Sequence, residues 1–160
     1  MEVNIVGAEG RIPDIEAALP VIAELEKQHD STIQLFRADR VFGREHLQTA
    51  VEMAARSWNR KTAKANTLGM EILLYAAAER QISGAIDKLG ISPEHTGFAI
   101  VTMGKVLPQQ VLEALNLQEA DTLGPEGKDH SIFAITEAEM KAASIPDLVL
   151  ERMALSELNR

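Results

Sequence analysis

The sequence predicts an α+β single domain spanning residues 1–160: a small central sheet of about three to five strands covered by about six or seven helices. Three observations lead there. Strand and helix signals alternate along the chain. Residues 97–103, GFAIVTM, are short, nearly all apolar and led by a glycine, which marks a central strand covered on both faces. Residues 66–91, NTLGMEILLYAAAERQISGAIDKLGI, carry Leu68, Ile72, Tyr75, Ile82, Ile86 and Leu89 at helical spacing, broken only by Glu79.

In chain order, residues 2–6 read as a short strand with Val3 and Ile5 on one side, and residues 7–10 (GAEG) as a turn. The G-x-x-G there superficially resembles a nucleic-acid clamp, but Glu9 puts an anion in the loop and Pro13 would break into the helix such a clamp needs. Pro13 and Asp14 open a helix through Ile15, Leu19, Ile22 and Leu25, which Pro20 kinks or restarts. Residues 32–38 form a second strand, with Phe36 the heaviest vote for which face is buried. A helix from Gly43 to about Arg60 turns Leu47, Val51, Ala54 and Ala55 inward. His46 on that helix has no metal-ligand partner at i+4 and reads as a hydrogen-bonded structural histidine. Trp58 near its end is expected to close the helix against the core, the alternative being a stacking surface for a base.

In the long stretch that follows, Asn66 or Thr67 caps the start and Gly90 closes the end. Gly84 costs about 1 kcal/mol inside a helix, so either another backbone packs closely there or two helices meet near residues 78–81. Pro108 begins a helix through Val111, Leu112 and Leu115, and residues 117–129 read as a polar, mobile loop. Residues 131–135 suit a strand, and Thr136 or Glu137 starts a short helix through Met140. The last helix, from Asp147 to about Leu158, distributes Leu148, Val149, Leu150, Met153, Ala154, Leu155 and Leu158 around most of its circumference. That exceeds one buried face, so the helix is threaded into a core or meets a partner.

Composition narrows the function. No apolar run approaches the ~20 residues of a membrane span, and the first residues lack the basic start and apolar core of a secretory signal. With no cysteine there is no disulfide, thiol nucleophile or thiolate metal site, and the cytoplasm is the expected compartment. The net charge of −8 is unevenly spread. Residues 37–64 hold seven of the 16 Lys and Arg but three of the 24 Asp and Glu, leaving that segment at +4 and the remainder at −12. Such a patch either binds a phosphate backbone or is a solvated helix face. Neither a hydrolase elbow, a zinc-protease motif nor a dinucleotide loop is present. Glu71 and Glu79, two turns apart, are about 12 Å from one another along a helix, too far to share a water, and Glu71 near a helix start is explained by the helix dipole. No enzyme, cofactor or metal is expected.

The run Asn66…MEILLYAAAERQI..AI..LGI, preceded by LFRADRVFGREHL at residues 35–47, resembles the small kinase-binding subunit of the KEOPS tRNA-modification complex, the PRPK-binding protein family. The resemblance covers about residues 32–105 and, more weakly, the last helix. Arg37 departs from it, standing where relatives often carry an acidic residue or Asn. It implies a non-catalytic subunit that docks the complex's atypical kinase and helps hold the single-stranded 3′ end of tRNA during threonylcarbamoyladenosine synthesis. The residues that fit these roles are Lys61, Lys64, Asn66, Arg80 and Gln81 for tRNA, and Val149, Met153, Leu155 and Leu158 for the kinase. Two other readings stay open: a sensor or enzyme for an anionic metabolite, with Arg80, Gln81 and Asn66 around a pocket, and an adaptor that never touches RNA.

Overall fold

The computed structural model describes residues 2–160. In chain order its elements are β1 (Val3–Glu9), α1 (Ile15–His29), β2 (Ser31–Arg37), α2 (Arg44–Asn59), α3 (Leu68–Ala76), α4 (Ile82–Leu89), β3 (Gly97–Gly104), α5 (Pro108–Leu115), β4 (Gln118–Glu119), α6 (Glu137–Ala142) and α7 (Ile145–Leu158), with single 3₁₀ turns at Ala38–Arg40 and Ser131–Phe133. Seven helices and a four-stranded antiparallel sheet among the described residues make the class α+β, as the alternating signals predict. The chain divides into two compact units, residues 1–39 with 91–123 and residues 40–90 with 124–160.

The first unit contains the sheet, in the order β2-β3-β1-β4. β3 is interior, and its residues 98–103 are buried whichever face they point to, which is what the unbroken apolar run predicts. Phe98, Ile100, Ile33, Leu35 and Ala8 pack with Ile22 of α1 and with Val111 and Leu112 of α5. α1 begins at Asp14, whose side chain accepts the Ala17 N–H, and runs through Pro20 without ending.

Two sequence expectations fail here for the same reason. β1 does not stop at residue 6 to make a turn; it continues to Glu9, and residues 117–129 are not wholly a loop, because Gln118 and Glu119 pair with its last residues. Gly7 is inside the strand because the backbone of residues 120–122 crosses directly over it. A Cβ on Gly7 would overlap the Ala120 carbonyl and the Thr122 hydroxyl, which itself donates to the Phe98 carbonyl at 2.8 Å. Within residues 131–135, Ser131–Phe133 form a 3₁₀ turn and none is in a strand.

The second unit is helical. α2 packs on α3 and α7, α3 also on α4 and α7, and α6 on α7. Its core takes Leu47, Val51 and Ala54 from α2, Ile72, Leu73 and Leu74 from α3, and Leu148, Val149 and Met153 from α7. Buried His46 accepts the Phe42 N–H at Nδ1 (3.0 Å) and meets the Ala76 carbonyl from Nε2 (2.8 Å), so the neutral Nε2–H tautomer satisfies both contacts. Its ring also lies edge-on to Phe133 at 5.8 Å. This is the structural histidine the sequence predicts.

Gly7→Ala is expected to lower stability to urea by about 1–3 kcal/mol, the usual result of forcing a methyl group into a closed space. Amide exchange of Ala120, whose N–H donates to the Gly7 carbonyl, should accelerate with it. A second prediction concerns acid. Burial holds the His46 imidazole at a pKa of about 4, below its ordinary 6.5. Between those values the unfolded chain binds a proton that the native one refuses, so stability falls as pH drops from 6.5 towards 4, by up to roughly 3 kcal/mol. Chemical denaturation across that range should give a shallower pH dependence for His46→Gln than for the native chain.

Candidate functional site

The candidate site belongs to the helical unit and is arranged around the two ends of α3. At its start, Thr67 is the cap, accepting the Met70 N–H at 3.2 Å. One turn in, Glu71 is fully buried. Its Oε1 accepts the backbone N–H groups of Lys64 and Ala65 (both 3.1 Å) and the Arg160 guanidinium (3.0 Å). Oε2 accepts the Ser57 hydroxyl and a second Arg160 nitrogen (2.9 Å). The same guanidinium donates to the Tyr75 hydroxyl and lies 4.2 Å from that ring's centroid. Burial would push the Glu71 carboxyl up, but Arg160, Ser57 and the Ala65 N–H outweigh it and hold the group below its ordinary value. Glu71 is in the first turn of α3, as its dipole reading expects, and these donors meet its carboxylate there. Its carboxylate ties α2, the loop after α2 and the residues after α7 to one point.

That loop starts with an unusual stop. Lys61 donates its N–H to the Trp58 carbonyl and Thr62 to the Ser57 carbonyl, the paired bonds of a Schellman motif. The left-handed position in it is Lys61 itself, φ 59°, where glycine is the usual residue. α3 ends the same way: Ala78 (φ 51°) bonds to the Tyr75 carbonyl and Glu79 to the Leu74 carbonyl. The chain then turns into α4, so the 66–91 stretch is two helices meeting near residues 78–81. Gly84 is explained by the junction, since a Cβ there would lie 2.8 Å from the Glu79 carboxylate. That carboxylate accepts the Arg80 N–H (3.0 Å) and pairs with Lys88 (2.9 Å). Lys88 and the Arg80 N–H hold it below its ordinary pKa against the opposing effect of burial.

The five residues predicted for RNA are all exposed. They fall into two groups. Lys61, Lys64 and Asn66 are on the loop before α3; α2 ends at Asn59, so the two lysines are not neighbours on a continued helix. Arg80 and Gln81 lie beyond the other end, with the nine residues of α3, about 14 Å of helix, in between. Asn66 and Arg80, placed around one pocket in the metabolite reading, thus stand beyond opposite ends of α3. Arg80 pairs through its side chain with neither Glu79 nor Glu71; it donates to the Asn159 carbonyl at 3.2 Å, just past α7. The residues after α7 thus meet both groups, Asn159 through Arg80 and Arg160 through Glu71. Of the four residues predicted for a partner, Val149 and Met153 are completely buried, whereas Leu155 is 45% and Leu158 82% exposed. Leu155 and Leu158 are the large apolar side chains that α7 exposes, beside Asp147, Glu151 and Ala154.

Sequence reasoning missed Glu71, Ser57 and Arg160 as an assembly. The signal available was a single carboxylate inside LGMEILLYAAA, a run with no polar face to carry it out to water. Trp58 also differs from expectation: it is 39% exposed at the end of α2, beside the exposed Arg56, Arg60 and Lys61, rather than closed against the core. A shallow concavity elsewhere, lined by Glu9, Gly10, Arg11, Thr96, Asn116 and Gln118, contains none of the predicted residues. Among the described residues no group of three acidic or histidine side chains is arranged to hold a metal ion, and no helix is long and apolar enough to cross a membrane.

Compared with known proteins, the chain matches the family described as kinase binding protein CGI-121 over residues 13–157. No curated protein matches it.

Proposed function

The chain belongs to the kinase-binding CGI-121 family, and we propose on that premise that it is a non-catalytic, cytoplasmic subunit of a KEOPS-type complex. It docks the complex's atypical kinase through Leu155 and Leu158. It receives the single-stranded 3′ end of a tRNA at Lys61, Lys64, Asn66, Arg80 and Gln81, in support of threonylcarbamoyladenosine synthesis. The observation that carries the RNA half is the loop between α2 and α3. Its backbone is fastened inward to Glu71 while Lys61, Lys64 and Asn66 face water, and the exposed Trp58 is in the last turn of α2 ahead of it. Cations on a fixed backbone with an aromatic plane beside them meet the needs of single-strand binding: phosphates are neutralised and a splayed base has a surface to stack on. The kinase half rests on α7, whose inner side chains are used within the helical unit and whose last turn leaves Leu155 and Leu158 without apolar cover.

Three phosphate contacts on a single strand predict a salt slope near −2, at about 0.7 per phosphate. In fluorescence anisotropy, Lys61→Glu with Lys64→Glu should flatten that slope, whereas Gln81→Ala should weaken binding and leave it unchanged. Intact tRNA should bind more tightly than tRNA trimmed of its 3′ tail. Equal affinity for the two RNAs would rule out tail recognition, and no affinity for either would leave the protein an adaptor.

Leu158→Glu or Leu155→Glu should weaken binding of the kinase, read by calorimetry, by more than tenfold without changing the melting temperature, because docking would bury an unpaired charge. Normal kinase affinity in both folded variants would put the interface elsewhere.

A further inference from the structure

The amides of Lys64 and Ala65 have a side-chain carboxylate, Glu71, as their acceptor rather than a backbone carbonyl. That carboxylate is buried, and its counter-ion is Arg160, beyond α7. The last turn of α7 is poorly packed: Leu158 is 82% exposed and Leu155 45%. What fastens its end is polar. Arg160 binds Glu71 and Tyr75, and Arg80 binds the Asn159 carbonyl. One guanidinium therefore completes both arrangements. It neutralises the anion on which the loop backbone hangs, and it holds down the end of the helix that bears the outward leucines.

We propose that Glu71 and Arg160 are positioning residues for the basic loop: their ion pair fixes the backbone at residues 64 and 65, so Lys61, Lys64 and Asn66 are presented for binding only while the last turn of α7 is docked. This rests on the RNA reading above and adds what regulates that site. Without Arg160, Glu71 is a buried carboxylate lacking its counter-ion, a state relieved by protonation or by opening towards water. Either change weakens or moves the acceptor of the two loop amides. Lys61 already occupies a left-handed conformation that an L residue adopts at a cost, so the loop loses its preferred shape when that constraint goes.

The test uses Arg160→Gln in the full chain, with amide exchange followed residue by residue and affinity for intact tRNA measured by anisotropy. The variant should melt cooperatively, exchange the Lys64 and Ala65 amides at least tenfold faster and bind tRNA about tenfold more weakly, with Arg160→Lys recovering most of both losses. Arg152→Gln is the control for stability alone. Its guanidinium binds the Phe133 and Ala134 carbonyls and Glu139, none of which touches the loop. It should leave the loop amides and the tRNA affinity within twofold. If Arg160→Gln does not fold, Ser57→Ala removes one donor from Glu71 and should move both readouts the same way by about threefold. Unchanged loop amides, faster amides with unchanged affinity, or an equal loss of affinity in Arg152→Gln each overturn the proposal. Lys61→Glu with Lys64→Glu in the same assay separates the two levels. If that variant binds tRNA normally, the RNA reading itself is wrong. If it loses binding while Arg160→Gln keeps it, the site stands and the positioning role falls.

Discussion

A carboxylate sealed from water must be met by donors on every side, or the element carrying it will not stay buried. Glu71 is in that position inside the helical unit, and the five hydrogen bonds it accepts come from α2, from the loop that follows it and from the residue that ends the described chain. Ser57, Lys64 and Ala65 come from the chain just ahead of Glu71, whereas Arg160 is 89 residues away, so it is Arg160 that makes the interaction a long-range clamp. An apolar residue at the same place would pack as well or better, but it would leave two loop amides and a guanidinium without an acceptor. The ion pair is thus better understood as fixing one arrangement of the unit than as adding to its stability.

The same economy explains α7. Its mixed circumference would be a liability on a free helix, yet its members are divided cleanly. Leu148, Val149 and Met153 are buried with α2 and α3, while Arg152 reaches sideways to Glu139 and to two carbonyls around the 3₁₀ turn at Ser131–Phe133. Arg152 and Thr136 together keep the Glu139 carboxyl at about 2, well below its usual range. That leaves Leu155 and Leu158 as the large apolar side chains of α7 that stay exposed. The proposed kinase docking would cover these two side chains.

α2 and α3 both stop at left-handed residues that are not glycine, Lys61 after the first and Ala78 after the second. Sequence signals for helix ends depend on glycine and proline, and neither residue occurs at these positions. The stop after Ala76 was legible only through Gly84 and the polar Glu79-Arg80-Gln81 cluster, and the stop after Asn59 only through the loss of apolar periodicity. The lysine that the proposed site relies on is therefore also a strained backbone position, a combination that recurs where a loop's shape serves binding.

Periodicity and composition by themselves determined the fold class, the central strand at residues 97–103, a helix opening at Pro13 and Asp14 and another at Asn66 or Thr67, the structural role of His46 and the basic segment between residues 37 and 64. Each of these follows from the order of side chains along one element, which local physics reads directly. Tertiary structure alone decided that β1 runs on past Gly7 under residues 120–122, that Trp58 stays at the surface, and that Val149 and Met153 turn inward while Leu155 and Leu158 do not. It also decided that Glu71 answers Arg160, 89 residues away. A buried charge is intelligible only with its counter-ion, and the counter-ion is chosen by how helices pack, which no single stretch of sequence contains.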